Sequence, residues 1–138
     1  MIKAIIIDDE MHCRKTLEIL LNEYCPDVQV LKQCADAKTG LEAIKKFNPD
    51  LVFLDIEMPH MNGFELLQQV KSKQFHLIFT TAYNQYAIKA IKYAAFDYLL
   101  KPIDPEQLRE AVARVAAAIA SDSRHHLREF RRRLTHEK

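Results

Sequence analysis

Acidic, hydroxyl and basic side chains stand at the ends of several short apolar runs in this sequence. These runs are KAIII, LVFL, HLIFT and DYLL, and they lie far apart along the chain. The residues that end or directly follow them are Asp8, Asp9, Asp55, Thr80, Thr81 and Lys101. A fold that gathered these residues would place three carboxylates beside hydroxyl groups and an ammonium group.

Three neighbouring carboxylates repel each other unless a cation neutralises them or one of them takes up a proton. Mg²⁺ is a suitable cation, because it prefers oxygen ligands and is commonly bound by one or two carboxylates together with a phosphate. A carboxylate neutralised in this way can attack a phosphoryl group, while Thr and Lys side chains contact the remaining phosphate oxygens. The residue types therefore predict magnesium-dependent phosphoryl transfer to Asp55.

Apolar runs alternate five times with amphipathic segments, which is typical of repeated βα units. The predicted strands are 3–7, 28–34, 51–54, 76–80 and 97–100, and the predicted helices cover approximately 11–24, 37–47, 63–72, 84–93 and 105–120. Strands that are apolar on both faces indicate a parallel sheet covered by helices on both sides.

Right-handed crossovers leave few topologies for five such units. We predict an α/β, flavodoxin-like (βα)5 fold: a doubly wound five-stranded parallel sheet of strand order 2-1-3-4-5, with the polar second strand at an edge. Ligands of such sheets bind beyond the carboxyl ends of the strands, which is where the polar residues above are expected to meet.

Four segments carry a family resemblance, in order and at suitable spacing. IIIDDE, LVFLDIEMPHMNG, IFTTAY and FDYLLKPI resemble the receiver domain of two-component response regulators. The resemblance covers residues 1 to about 120, so we expect a receiver domain over 1–120 and a separate basic segment over 121–138.

The resemblance implies a phosphorylation site that needs Mg²⁺. Asp55 matches the phosphate-accepting aspartate of the family. Asp9 matches the acid that binds Mg²⁺ directly, and Asp8 matches its neighbour that acts mostly through water. Glu57 stands where the family uses a main-chain carbonyl as a metal ligand.

The same resemblance implies a conformational switch. Thr81 matches the switch hydroxyl, Lys101 the phosphate-pairing lysine and Tyr98 the switch aromatic. The Lys101–Pro102 peptide resembles a family peptide that is usually cis and aims the ammonium group into the site. A sensor histidine kinase or a small phosphodonor would supply the phosphoryl group, and the domain would catalyse its own phosphorylation and dephosphorylation as a signalling switch.

Two features of the resemblance concern output and partners. AFDYLLKPI resembles the version of the motif found in LytTR-type response regulators, so DNA binding is expected only through an output domain outside these 138 residues. A homodimer is expected through the predicted fourth helix, fifth strand and fifth helix. The residues on or near this face are Tyr86, Ile88, Lys89, Lys92, Asp97 and Arg109. A stand-alone receiver, or a receiver-like interaction module without DNA-binding output, is the alternative.

Other classes fit the sequence less well. Dinucleotide-binding domains and P-loop NTPases need a glycine-rich phosphate loop, and this chain has only Gly40 and Gly63. A phosphatase with an aspartate nucleophile would place an acid two residues after it, as Glu57 stands to Asp55, but its further acidic motif is absent. The three cysteines lack ligand spacing and indicate idle thiols.

Length and hydropathy bound the whole chain. With 138 residues, of which 49% are hydrophobic, one compact domain is expected. No apolar run approaches the roughly 18 residues of a membrane span, and no leader sequence precedes the first strand. We therefore expect a cytoplasmic protein that does not bind membranes.

The segment 121–138 holds six Lys and Arg residues against three acids. Ser121, Asp122 and Ser123 predict a polar break, after which Leu127, Phe130 and Leu134 recur at helical spacing. We interpret this segment as a linker toward an absent output domain, helical only when it finds a partner. A nucleic-acid-binding element and a solvated end without a role are the alternatives.

Overall fold

The fold is built on five parallel strands. The computed structural model describes residues 1–71, 74–83 and 97–136. The strands are β1 (Ile2–Ile7), β2 (Val28–Cys34), β3 (Leu51–Asp55), β4 (His76–Thr81) and β5 (Asp97–Leu100). They form one sheet of order β2-β1-β3-β4-β5, in which all neighbouring pairs are parallel. The predicted flavodoxin-like topology is confirmed, with the more polar β2 at an edge.

Helices cover both faces of this sheet. They are α1 (Met11–Tyr24), α2 (Ala37–Phe47), α3 (Gly63–Gln69) and a C-terminal helix (Pro105–His136). Successive strand residues point to opposite faces, so Ile5 and Ile7 pack in the core with α2 and α3, whereas Ala4 and Ile6 pack with α1 and the C-terminal helix. All five residues of β3 are buried because both layers cover this central strand.

Capping residues fix where two of the helices begin. Asp36 accepts a hydrogen bond from the Thr39 amide at the start of α2. At the start of α3, Asn62 and Glu65 form a reciprocal capping box. The helix α3 ends at Gln69, three residues before the predicted end, and the predicted helix over 84–93 lies outside the described residues.

The predicted end of the last helix near residue 120 is wrong. The C-terminal helix passes through Ser121, Asp122 and Ser123 without a break and continues to His136. No Gly or Pro occurs between residues 106 and 136, and Ser and Asp each cost only tenths of a kcal/mol within a helix. The polar triplet is therefore too weak a signal to end it.

None of the helices in the described part of the chain is both long enough and apolar enough to cross a membrane.

Candidate phosphoacceptor site

Three carboxylates meet at the carboxyl edge of the sheet. Asp8 and Asp9 follow β1, and Asp55 is the last residue of the neighbouring strand β3. One oxygen from each of the three side chains lies within 4.8 Å of the other two. Asp8 and Asp55 are only 4% and 3% exposed. This all-oxygen donor set, partly buried and open at Asp9, fits a hard divalent cation such as Mg²⁺.

Lys101 brings the positive charge into this cluster. Its Nζ lies 2.8 Å from Asp8 Oδ2 and 3.5 Å from Asp55 Oδ1. The backbone holds Lys101 beside β4, because its amide donates to the Thr81 carbonyl at 2.7 Å. The Lys101–Pro102 peptide is cis, as predicted. Burial disfavours the charged ammonium, but the hydrogen bond to Asp8 and the charges of Asp55 and Asp8 outweigh it and raise the pKa of Lys101 to about 12.

Asp55 is the carboxyl group most altered by its surroundings. Burial and then the neighbouring charge of Asp8 raise its pKa to about 8, although Lys101 and the Glu57 amide act in the opposite direction. The Glu57 amide donates to Asp55 Oδ1 at 3.2 Å. Without a bound cation, Asp55 therefore keeps its proton to a higher pH than an exposed aspartate does, and a metal ion would compete with that proton.

A close approach of helix and strand holds the backbone of Asp55. Gly63 begins α3, and its amide donates to the Ile56 carbonyl at 3.0 Å. A Cβ on Gly63 would lie 2.8 Å from the Asp55 carbonyl oxygen. Only glycine therefore allows α3 to begin directly beneath the phosphoacceptor position without displacing it.

The two predicted switch residues lie near the cluster but outside its immediate contacts. Thr81 is fully buried, and its Oγ1 accepts a hydrogen bond from the Tyr83 amide at 3.1 Å. Tyr98 donates its phenolic hydrogen to the Tyr83 carbonyl. Both side chains thus hold the main chain of Tyr83. Burial raises the pKa of Tyr98, which keeps this phenol a donor.

A cleft of about 470 Å³ opens above the carboxylates. The predicted residues that line it are Asp8, Asp55, Glu57, Thr80 and Lys101. Its other lining residues include His12, Cys13, Thr16 and Tyr83, which were not predicted to lie there. His12, Cys13 and Thr16 lie there because the first two turns of α1 form one wall of the cleft, whereas Tyr83 follows the end of β4.

Arg14 is a site residue that the sequence motifs did not reveal. Its Nη1 donates to the Asp8 carbonyl at 2.8 Å. The spacing of six residues from Asp8 to the first turn of a predicted helix was the available signal. It is a weak signal, because the acceptor is a backbone atom.

The fold and the acidic cleft together define a phosphoreceiver. The sequence pattern of the response regulator receiver domain matches residues 4–113, and the chain belongs to this family. Receiver domains generally bind Mg²⁺ at an acidic pocket, and sensor histidine kinases phosphorylate the receiver domains of response regulators.

Particular relatives are similar over most of this chain. An uncharacterized response regulatory protein of Vibrio vulnificus is 47% identical over 119 residues, covering 86% of this chain and 49% of the relative. The transcriptional regulatory protein BtsR of Escherichia coli is 41% identical over 116 residues, covering 83% of this chain and 48% of the relative. The chain therefore spans about half the length of these curated relatives.

Solved receiver structures resemble the fold closely. The REC domain of AraT, a response regulator from Geobacillus stearothermophilus, superposes with a TM-score of 0.79 at 34% identity, covering 88% of this chain and 98% of that domain. The response regulatory domain of mrkE from Klebsiella pneumoniae gives a TM-score of 0.76 at 27% identity, covering 84% of this chain and 96% of that domain.

Proposed function

We propose that Asp55 accepts a phosphoryl group from a sensor histidine kinase in a Mg²⁺-dependent reaction. The proposal is carried by one observation: the carboxylates of Asp8, Asp9 and Asp55 converge within 4.8 Å, with the Lys101 ammonium 2.8 Å from Asp8 and 3.5 Å from Asp55. Such a set offers an oxygen nucleophile, a cation site and a phosphate-pairing group together.

Asp8, Asp9 and Asp55 would hold the Mg²⁺ ion, together with the main-chain carbonyl of Glu57. When bound, Mg²⁺ would neutralise the carboxylates and offset negative charge on the phosphoryl oxygens. Each of the three side chains supplies an oxygen of the type this ion prefers. The open position of Asp9 leaves room for water molecules in the remaining coordination sites.

The transfer itself is a displacement at phosphorus. A carboxylate oxygen of Asp55 forms the new P–O bond as the P–N bond of the donor phosphohistidine breaks. The electron pair of that bond leaves with the imidazole nitrogen. With acetyl phosphate, a P–O bond breaks instead and acetate leaves. Asp55 must be unprotonated for this attack, so loss of its raised-pKa proton precedes the transfer.

The phosphorylated state would differ from the resting state in its hydrogen bonds. Lys101, now bound to Asp8 and Asp55, would exchange part of this contact for a phosphoryl oxygen. The Thr81 hydroxyl, now an acceptor for the Tyr83 amide, would turn toward the new anion. Because Tyr98 also holds Tyr83, this change at Thr81 would reach the switch aromatic.

Intact-mass measurement tests the chemistry. Acetyl phosphate with Mg²⁺ should add one phosphoryl group, about 80 Da, to the wild-type chain, since Asp8 and Asp9 would bind the cation and leave Asp55 as the acceptor. Asp55→Asn should not be labelled, nor should the wild type after the metal is removed with a chelator. Equal labelling of wild type and Asp55→Asn would exclude Asp55 as the acceptor.

We further propose that the phosphorylation controls transcription through a LytTR-type DNA-binding domain absent from this chain. This rests on AFDYLLKPI and on the greater length of the relatives, one of which is the transcriptional regulatory protein BtsR. The segment 121–138 would then be the linker, and DNA would be bound only by the output domain. A receiver without such an output remains the alternative, and sequencing the coding region beyond Lys138 decides between them. We also predict a cytoplasmic location, in which the chain would meet the kinase that phosphorylates it.

A further inference from the structure

A side chain from α1 completes the hydrogen bonding at the end of β1. The Asp8 amide donates to the carbonyl of Cys34, the last residue of β2, at 3.0 Å. The chain turns away after Cys34, so β2 offers no further amide to the Asp8 carbonyl. Arg14, which is half-buried, donates to that carbonyl at 2.8 Å instead. The first turn of α1 is thereby tied to the end of the strand.

The carbonyl that Arg14 holds belongs to the peptide joining Asp8 to Asp9. Rotation of this peptide would move both acids relative to Asp55. The Asp8 carboxylate has contacts of its own, with Lys101 Nζ at 2.8 Å and the Glu10 amide at 2.9 Å. Asp9 is the most exposed of the three acids, and its carboxyl group has a hydrogen bond with Asp55. The peptide that carries Asp9 sets whether its side chain can keep facing Asp55.

We infer that Arg14 is a positioning residue, which orients the Asp8–Asp9 peptide so that both carboxylates face the cation. This inference rests on the proposed function of the site. Arg14 touches neither Asp55 nor the ammonium of Lys101 among the contacts described, so it acts through the backbone. Groups that orient the ligands of a metal site commonly change metal affinity by about 10- to 100-fold when removed.

The chemistry of arginine suits this role. The guanidinium group stays charged over the whole physiological range, so the contact does not titrate with the carboxylates. Hydrogen bonds from a charged donor are stronger than neutral ones. A lysine at the same position keeps the charge and has three donors, but it lacks the planar fork and its side chain is shorter, so it should restore only part of the effect.

Metal titration of three variants tests the inference. Arg14→Met keeps a long apolar stem but removes the donor, and we expect it to weaken Mn²⁺ binding at least about tenfold. Lys15→Met is the matched control, because it removes the same charge from an exposed neighbouring position on α1. It should bind Mn²⁺ within about twofold of wild type, since screening makes one exposed charge a small effect. Arg14→Lys should lie between wild type and Arg14→Met.

Two further measurements distinguish a changed orientation of the Asp8–Asp9 peptide from general damage to the fold. Labelling of Asp55 by acetyl phosphate should fall in Arg14→Met at low Mg²⁺ but recover at saturating Mg²⁺. In the metal-free protein, the amide ¹⁵N resonance of Asp9, which shares its peptide with the bound carbonyl, should shift in Arg14→Met and not in Lys15→Met.

Equal Mn²⁺ affinities of Arg14→Met and Lys15→Met would overturn the inference, as would an unchanged Asp9 resonance. If Arg14→Met does not fold, Arg14→Lys carries the comparison, and wild-type affinity in that variant would contradict the need for the planar donor. Failure of the proposed function has a different signature: wild type itself would bind no Mn²⁺ or take up no phosphoryl group at Asp55.

Discussion

In the metal-free domain, Asp55 is a carboxyl group whose burial opposes its ionisation. It is buried at the end of the central strand, and its pKa of about 8 lies far above the value near 4 of an exposed aspartate. Between these pH values the folded chain keeps a proton that the unfolded chain has lost. The stability of the metal-free protein therefore falls as pH rises from about 4 to about 8.

Asp55→Asn should consequently stabilise the metal-free protein. Asparagine does not titrate, so the variant escapes the loss of stability above pH 4. We expect a gain of at least about 1 kcal/mol in the free energy of unfolding at pH 8, because one unit of pKa difference corresponds to about 1.4 kcal/mol. Urea denaturation at pH 4.5 and pH 8, with a chelator present, measures this.

Asp36→Ala is the control, and it should lower the free energy of unfolding where Asp55→Asn raises it. Hydrogen bonds from Thr39 lower the pKa of Asp36 and cap α2, so its removal should cost about 0.5–2 kcal/mol. An Asp55→Asn variant no more stable than wild type at pH 8 would show that the carboxyl group carries no such penalty.

The sequence could place Asp8, Asp55 and Lys101 in one cleft because each directly follows or ends an apolar run, and parallel strands bring such ends together. It could not reveal Arg14, because that side chain binds a backbone carbonyl. Every residue has such a carbonyl, so the residue types give no signal for this contact. Nor could it show that the Thr81 hydroxyl is turned to the Tyr83 amide, because a rotamer depends on neighbours supplied by the fold.

At the level of elements, strands were easier to predict than helix ends. Strand bounds follow from apolar runs that the two helical layers must cover, and each predicted strand lies within one residue of its observed limits. The end of the C-terminal helix had no comparable signal, because Ser121 to Ser123 only slightly disfavour a helix. Among the side chains whose burial the structure describes, Leu108, Ala111 and Val115 hold this helix against the core and are fully buried.

The segment after β4 is held by two side chains that the resemblance associates with switching. Tyr98→Phe removes the donor to the Tyr83 carbonyl while keeping the ring. We expect the amides of Ala82 and Tyr83 to exchange with solvent about 5- to 10-fold faster, since a net hydrogen bond of about 1 kcal/mol is lost.

Tyr24→Phe provides the comparison, because Tyr24 is an exposed tyrosine at the end of α1. Its removal should leave exchange at Ala82 and Tyr83 unchanged. Equal exchange in wild type and Tyr98→Phe would mean that the phenol does not restrain this segment.

At the scale of the whole molecule, the predicted dimer face is a surface on which an apolar side chain is exposed. The described part of the predicted dimer face contains Leu100, which is 37% exposed at the end of β5. The ion pair of Asp97 with Arg114 joins β5 to the C-terminal helix. Arg109, which was expected on the same face, pairs with Glu106 in a cleft that is also lined by Tyr24 and Cys25 at the end of α1. The residues Tyr86, Ile88, Lys89 and Lys92 of the same predicted face lie outside the described residues. An exposed apolar residue at the end of β5 is one that a two-fold dimer could cover with the same residue of the partner.

Phosphorylation should favour that dimer, because the change at Thr81 and Tyr98 occurs beside β5. Sedimentation velocity with beryllofluoride and Mg²⁺ should reveal a dimer in wild type. The control variant Ile19→Asn should also form this dimer, because Ile19 is an exposed apolar residue on α1 and not on the predicted dimer face. Leu100→Asn should remain monomeric under the same conditions, since it removes the exposed apolar side chain of this face. Its labelling at Asp55 by acetyl phosphate should match wild type, which separates loss of association from loss of the site. A single monomeric mass for wild type with and without beryllofluoride, or a dimer lost equally in Ile19→Asn, would contradict association through this face.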